Sequence, residues 1–304
     1  MSDAGPAERR VSWRQVVGRL AGQPLVFVGA VLVAATLAVG VLGPLLAPYG
    51  PDVEHFSAAL QGPSAAHWLG TDELGRDVLS RLLYGAAPTL GSGALIVLLA
   101  LAIGVPLGLV SGYLGGVVDE VVMRLVDAAL AFPGLVLALA VAWILGPSLV
   151  NAVLAVGAVT VPQFTRVARG QAVALRKREY VEAARSFGGS ARHILIRHVL
   201  PNAATPIVVL ATLNLGTAIL AVASLSFLGL GPPPPAPNWG AMAQEGAQYL
   251  SDAPWISLFP GAAILLAALG FNLVGDALRD LLDPKARTLP GAVAASPVAR
   301  PDSE

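Results

Sequence analysis

Long apolar runs alternate with short polar stretches along the chain. The runs near 24–47, 88–112, 126–146, 149–168, 203–225 and 255–275 each approach the roughly 20 residues that an α-helix needs to cross hydrocarbon. Backbone amides find no water there, so a run of this length must satisfy them internally. The pattern therefore predicts an all-α integral membrane fold with six transmembrane helices. The first run is longer than the ~7–15 residues of a signal-peptide core and no cleavage site follows it, so it is read as an uncleaved span. Gly104, Gly108 and Gly112 recur every fourth position in the second run, a spacing that lets another helix backbone come close. Gly146-Pro147-Ser148 predicts a tight turn between the third and fourth spans.

The polar stretches carry their own elements. Between 48 and 87, Pro48, Gly50, Pro51, Gly62 and Pro63 first forbid a long helix. Thr71 or Asp72 then caps a predicted amphipathic helix running to about Tyr84, with Leu74, Val78 and Leu82 on one face and an i,i+4 pair of Asp77 with Arg81. A short connection is expected over 113–125. A loop is expected over 229–254, opened by Gly229, Gly231 and the prolines at 232–235. The segment 176–202 reads as two short helices. Tyr180, Ala184 and Phe187 share an apolar face of the first, Gly188-Gly189 breaks it, and Ser190 caps a second in which Ala191, Ile194, Leu195 and His198 share a face. Pro201 is expected to close the unit. Two helices lying on a membrane with snorkelling arginines is one reading of this segment, and a docking site is the other.

Composition agrees with a membrane protein. Of 304 residues, 55% are hydrophobic and 12% charged, against about 25% charged in a soluble domain. The formal net charge of zero offers no argument for nucleic acid. The absence of cysteine excludes disulfides, thiolate catalysis and cysteine metal sites. The distribution of lysine and arginine is more telling. Six spans place Arg9, Arg10, Arg14 and Arg19, then Arg124, then the eight cations from Arg166 to Arg197, then Arg279, Lys285, Arg287 and Arg300 on one side, leaving Arg76 and Arg81 on the other. Such segregation predicts that both termini and the 176–200 segment are cytoplasmic.

Catalytic patterns are missing. There is no phosphate-binding Gly-x-x-x-x-Gly-Lys-Ser/Thr loop and no Gly-x-Ser-x-Gly elbow. His193 and His198 are five apart, which in an α-helix puts them on different faces, so no metal site is expected. The span cores hold no ionisable residue, whereas proton- and sodium-coupled carriers usually keep one. The polar residues that remain (Asn151, Thr160, Gln163, Thr212, Asn214, Thr217, Ser224 and Asn272) either line a passage for a polar solute or bond between helices.

Glu182-Ala183-Ala184, Gly188 and Leu200-Pro201 resemble the EAA loop of permease subunits of bacterial ABC importers, although His198 stands where the general pattern has an apolar residue. Arg197-His198-Val199-Leu200-Pro201-Asn202 resembles the peptide and nickel branch. The run His67–Leu82, with Gly70, Thr71, Asp72, Gly75, Arg76, Asp77 and Arg81 as its signature, resembles the loop after the first helix in dipeptide/oligopeptide permease subunits. Asn238-Trp239-Gly240-Ala241-Met242 is similar to the same branch. The resemblance extends from about residue 20 to 288. It implies the type I importer bundle; with the hydropathy runs it gives a cytoplasmic segment 1–23, a first span 24–47, an extracytoplasmic loop 48–87 and a transmembrane domain 88–288, and the Pro/Ala-rich composition beyond predicts a disordered cytoplasmic tail 289–304. It implies alternating access for di- or oligopeptides or nickel, with a second permease subunit, two ATPase subunits and an extracytoplasmic solute-binding protein as partners besides membrane lipid. Glu182, Ala183, Ala184, Ser186, Phe187, Gly188, Leu200 and Pro201 would carry the coupling to the ATPases. This chain would be non-catalytic and free of cofactors, and ATP and Mg would sit on the ATPase subunits. A proton-coupled secondary transporter and an intramembrane enzyme are the alternatives. Which of Gly188 and Gly189 holds the turn is left open.

Overall fold

A computed structural model describes residues 24–282. The expectations for the segment 1–23 and the tail 289–304 lie outside the described residues. Helices α1 (Pro24–Leu46), α2 (Val78–Leu114), α5 (Leu149–Leu175), α7 (Ala191–Leu230) and α9 (Trp255–Leu282) are each long and apolar enough to cross a bilayer. Between them lie α3 (Gly116–Leu130), α4 (Gly134–Leu145), α6 (Glu179–Ser186) and α8 (Trp239–Ala247).

Five expectations are corrected. The helix predicted from Thr71 or Asp72 does not exist as such. Residues 71–77 fold into a turn, in which Asp72 N donates to Arg76 O and Arg76 N to the Asp72 carboxylate. Those amides are thus spent before a helix can start. Helix α2 begins at Val78, capped by Asp77, and runs unbroken into the second predicted span. The third predicted span is broken, because α3 and α4 meet at 91°. Pro133, the N-cap residue of α4, has no amide and disfavours helix at Phe132 before it. The connection expected over 113–125 is mostly the first two thirds of α3. Pro201 does not close the hairpin, since α7 runs through it. The π-helical turn Leu195–Val199 immediately before widens the helix where the proline ring would otherwise strike the preceding turn. Finally, the 229–254 loop holds α8, started by the buried Asn238, whose side chain accepts from Gly240 N and Ala241 N.

Helix registers show how often the chain crosses. The glycine series packs as its spacing predicts: a methyl on Gly104 or Gly112 would fall 2.7 or 2.6 Å from the carbonyl oxygens of Val161 or Arg169, and one on Gly108 would strike Thr165 O. Residue numbers rise together along the two helices, so α2 and α5 are parallel. The chain between them must therefore return across the bundle, and the bent pair α3–α4 makes that return. By the same reasoning α1 is antiparallel to α2 (Gly43 against Leu83, Gly40 against Leu90) and to α9 (Gly29 against Leu273, Gly270 against Leu32), and α7 is antiparallel to α9 (Gly216 against Ala268, Gly275 against Leu213). Six alternating crossings satisfy all of these registers. The start of α1, the end of α9 and the 176–190 segment then share one end of the bundle.

The mid-span hydroxyls do not bond between helices. Thr160, Thr212, Thr217 and Ser224 each donate to the carbonyl four residues back in their own helix, and the Asn214 amide does the same. Each polar group is silenced locally, which keeps it compatible with hydrocarbon.

Candidate functional site

At one end of the bundle, α6 and the start of α7 form a hairpin. Its inward face is Val181 and Ile194, both fully buried, with Ala184 half-buried beside them. Tyr180 and Phe187, expected on an apolar face with Ala184, point away from the bundle. Phe187 is 91% exposed. The turn is set by Gly188, whose φ is +81°. Gly188 N donates to Arg185 O and Gly189 N to Ala184 O, each at 3.0 Å, the paired closure that a glycine in left-handed conformation allows at a helix end. Gly189 matters for a different reason, because a methyl there would meet Ala184 O at 2.7 Å. Ser190 caps α7 as predicted, its hydroxyl accepting from His193 N at 3.3 Å. The expected shared face of α7 is largely present: Ile194 is buried, Leu195 and His198 are half-buried, and only Ala191 is exposed.

His193 and His198 are neighbours after all. Their ring centroids lie 5.8 Å apart, and Tyr180 of α6 lies 6.4 Å from His198. The π-helical turn is the cause, since it brings residues five apart onto one face. Glu182, Ala183, Ser186, Phe187, Gly188, Leu200 and Pro201 are all exposed at this end of the bundle, whereas Ala184 is half-buried.

Beside the hairpin is a cavity of about 420 Å³ lined by Tyr113, Leu114, Arg176, Lys177, Glu182 and Arg185. Arg176 Nη1 donates to Gly112 O at 3.2 Å, and the Arg185 guanidinium lies 5.5 Å from the Tyr113 ring centroid, within cation–π range. The ion pairs at this end join Arg166 to Asp127, Arg169 to Asp119 and Arg124 to Glu120. Among the described residues none includes Arg176, Lys177 or Arg185.

The opposite end carries the signature loop. Arg76 Nε donates to Asp72 Oδ2 at 2.6 Å, and its Nη2 donates to Glu73 Oε1 at 3.0 Å. Arg81, at 2% side-chain exposure, lies 3.6 Å from Asp72 Oδ2, donates to Pro235 O at 3.3 Å and reaches Glu245 Oε2 at 3.4 Å. The pair expected between Asp77 and Arg81 does not form. Asp77 instead accepts from the Ser80 amide and hydroxyl at 2.8 and 2.7 Å and faces His67 Nδ1 at 3.0 Å. Gly70 and Gly75 form turns in the same loop, both with positive φ, and Thr71 Oγ1 donates to Ala58 O.

Sequence reasoning missed Glu245, the acid on α8 that joins this cluster. The available signal was an Asn N-cap at 238 followed by a lone carboxylate in an otherwise uncharged nine-residue segment. Burial pushes the Glu245 carboxyl above its ordinary value, against the pull of Arg81 and Arg76. At 3.4 and 3.6 Å those contacts are longer than charge-assisted bonds of about 2.7–2.9 Å, so the attraction does not offset the lost water. Helix α8 is also fixed at its start, where Asn238 Nδ2 and Trp239 N both donate to Thr89 Oγ1 at 3.2 Å and Trp239 Nε1 donates to Leu82 O at 2.8 Å. An apolar groove of about 710 Å³ opens between α7, α8 and α9, with Leu220, Phe227, Ala243, Leu258 and Leu265 in its wall. Among the described residues no cluster of potential metal ligands occurs.

Residues 104–288 match the family described as binding-protein-dependent transport system inner membrane component. Residues 12–63 match the N-terminal transmembrane domain of oligopeptide transport permease C. The chain is 47% identical over 279 residues to the probable D,D-dipeptide transport system permease protein DdpC of Escherichia coli (strain K12), covering 92% of this chain and 94% of that one. It is 44% identical to the dipeptide transport system permease protein DppC of Alkalihalophilus pseudofirmus, with 91% of each chain covered. It is 42% identical to the glutathione transport system permease protein GsiD of Pectobacterium atrosepticum, with 92% and 93% covered.

Proposed function

Since the chain belongs to the binding-protein-dependent transport system inner membrane components, we propose that it is the pore-forming subunit of an ATP-driven peptide importer, driven from outside itself through the α6–α7 hairpin. The exposed Phe187, on a hairpin anchored by buried Val181 and Ile194, is the observation that carries this reading. A large apolar side chain standing free on a rigid support suits insertion into a partner's cleft. Glu182, Ala183, Ala184, Ser186, Gly188, Leu200 and Pro201 complete the coupling surface, with small residues allowing close approach. The partner subunits would be two ATPases holding ATP and Mg, a second permease subunit and an extracytoplasmic binding protein. The positive-inside distribution supports a cytoplasmic hairpin and cytoplasmic termini in the inner membrane. The signature residues Gly70, Thr71, Asp72, Gly75, Arg76, Asp77 and Arg81 would then build the extracytoplasmic platform that fixes α8. The relatives' names favour small peptides as the solute. They lend nothing to a proton-coupled carrier.

The test is reconstitution of the complex in proteoliposomes. Uptake of a labelled dipeptide should require ATP and the binding protein, and Phe187→Ala should lower ATPase retention on the permease by about 10-fold or more, as loss of a central anchor does. Uptake driven by a proton gradient alone, or full coupling in Phe187→Ala, would overturn the proposal.

A further inference from the structure

The cavity between the ends of α2 and α5 and the start of α6 carries a charge imbalance. It holds Arg176, Lys177 and Arg185 against the single carboxylate of Glu182. Two of the cations are already oriented, Arg176 by the Gly112 carbonyl and Arg185 by the Tyr113 ring, and each keeps unused donors. Guanidinium and ammonium groups converging on one concavity suit a phosphate oxygen cluster.

The neighbourhood says which phosphate. Helix α3 starts directly beside the cavity, where Gly115 approaches Arg176. Val117, Val121 and Leu125 repeat at i,i+4 along it, with Val118 alongside, and all four are exposed together with Leu114. Asp119, on the face of α3 away from this stripe, is bonded to Arg169 and also feels the charge of Arg176. A cationic concavity at the ends of two membrane-crossing helices, continuous with an exposed apolar stripe, has the amphipathic layout of a lipid site.

We propose that this cavity seats the phosphate of an anionic phospholipid headgroup, with its acyl chains along the exposed face of α3. Because Glu182 and Arg185 belong to α6, a bound headgroup braces the coupling hairpin, and anionic lipid becomes a requirement for full coupling. This last consequence rests on the proposed function; the binding site itself does not.

The test uses the assembled complex in nanodiscs of phosphatidylcholine with or without phosphatidylglycerol, with retained phosphatidylglycerol counted by native mass spectrometry. Retention should fall by about 5-fold for each cation removed, in Lys177→Gln and further in Arg176→Gln/Lys177→Gln. It should be unchanged in Arg279→Gln, which removes an exposed cation at the same end of the bundle. If the double variant does not assemble, Lys177→Gln alone decides, since Lys177 is an exposed side chain. Equal retention in wild type and Lys177→Gln, or an equal loss in Arg279→Gln, overturns the site. Displacement of the lipid by millimolar inorganic phosphate overturns the lipid assignment in favour of free phosphate. A cross-link from Lys177 to an ATPase carboxylate in the assembled complex overturns it in favour of a protein contact. ATPase stimulation is read separately: retained lipid without any effect on stimulation keeps the site and removes its link to coupling.

Discussion

Gly188 and Gly189 are both needed, for unlike reasons. Gly188 holds a positive φ in open space, so only its backbone conformation restricts it. Gly188→Val should strain the turn by about 1–3 kcal/mol, leave membrane insertion intact and abolish dipeptide uptake. Gly188→Asn should be mild, because asparagine tolerates the left-handed region. Gly189 has an ordinary φ but no room, so both Gly189→Asn and Gly189→Val should impair uptake; tolerance of Gly189→Asn would contradict the packing described. The sequence marked the pair but could not divide the roles, because one depends on a dihedral and the other on where Ala184 O ends up. Glu245 was illegible for a related reason, as its partners lie more than 160 residues away. Its raised value means that the fold favours the protonated form. The stability it contributes is therefore present at low pH and lost as pH rises from the ordinary glutamate range through the raised value. Glu245→Gln, a mimic of the protonated form, should flatten that loss, measured as protease nicking of the loop 231–238 across a pH series.

At the scale of elements, hydropathy located the spans but not their ends or bends. The run from 88 was visible, yet α2 starts ten residues earlier because Asp77, not Asp72, is the cap. Proline misled twice in opposite directions. Pro133 breaks a run that reads as continuous, whereas Pro201 sits inside a helix that reads as finished, since the π-helical turn before it absorbs the ring. Histidine spacing misled through the same turn. The glycine series, by contrast, was legible because a close approach needs only small residues at one spacing. Gly108→Val should destabilise the complex by about 1–3 kcal/mol, typical of forced overpacking, seen as a lower melting temperature in detergent. Gly91→Val, on the same helix with nothing within 4 Å of the added carbon, should not.

For the whole molecule, the segregation of lysine and arginine and the helix registers are separate observations, and both fit six crossings. The charge pattern could be read from composition along the chain; the parallel run of α2 and α5 could not, because it depends on which glycine meets which carbonyl. The crossing number is checked with a chain that has no cysteine of its own. Ala236→Cys, in the exposed proline loop, should react with a membrane-impermeant maleimide in intact cells, and Ser190→Cys only after permeabilisation. Equal labelling of both in intact cells would rule out the bent α3–α4 pair as a crossing.

Helix α7 has a mechanical consequence. Its α-helical stretch Leu200–Leu225, 26 residues between the π-helical turns at Leu195–Val199 and Ser226–Leu230, measures roughly 39 Å at about 1.5 Å per residue, and the turns before it are the hairpin arm itself. A helix of that length needs no relay: a tilt of about 5° around its midpoint carries each end by about 1.7 Å, from the same arithmetic. The tip away from the hairpin runs past α8, which is fastened to α2 through Thr89, Leu82 and Arg81 and so behaves as a stationary post. A push at Ser190 is then expected as sliding between Leu228 and α8, readable as a nucleotide-dependent change in distance between spin labels at Leu228 and Ala247.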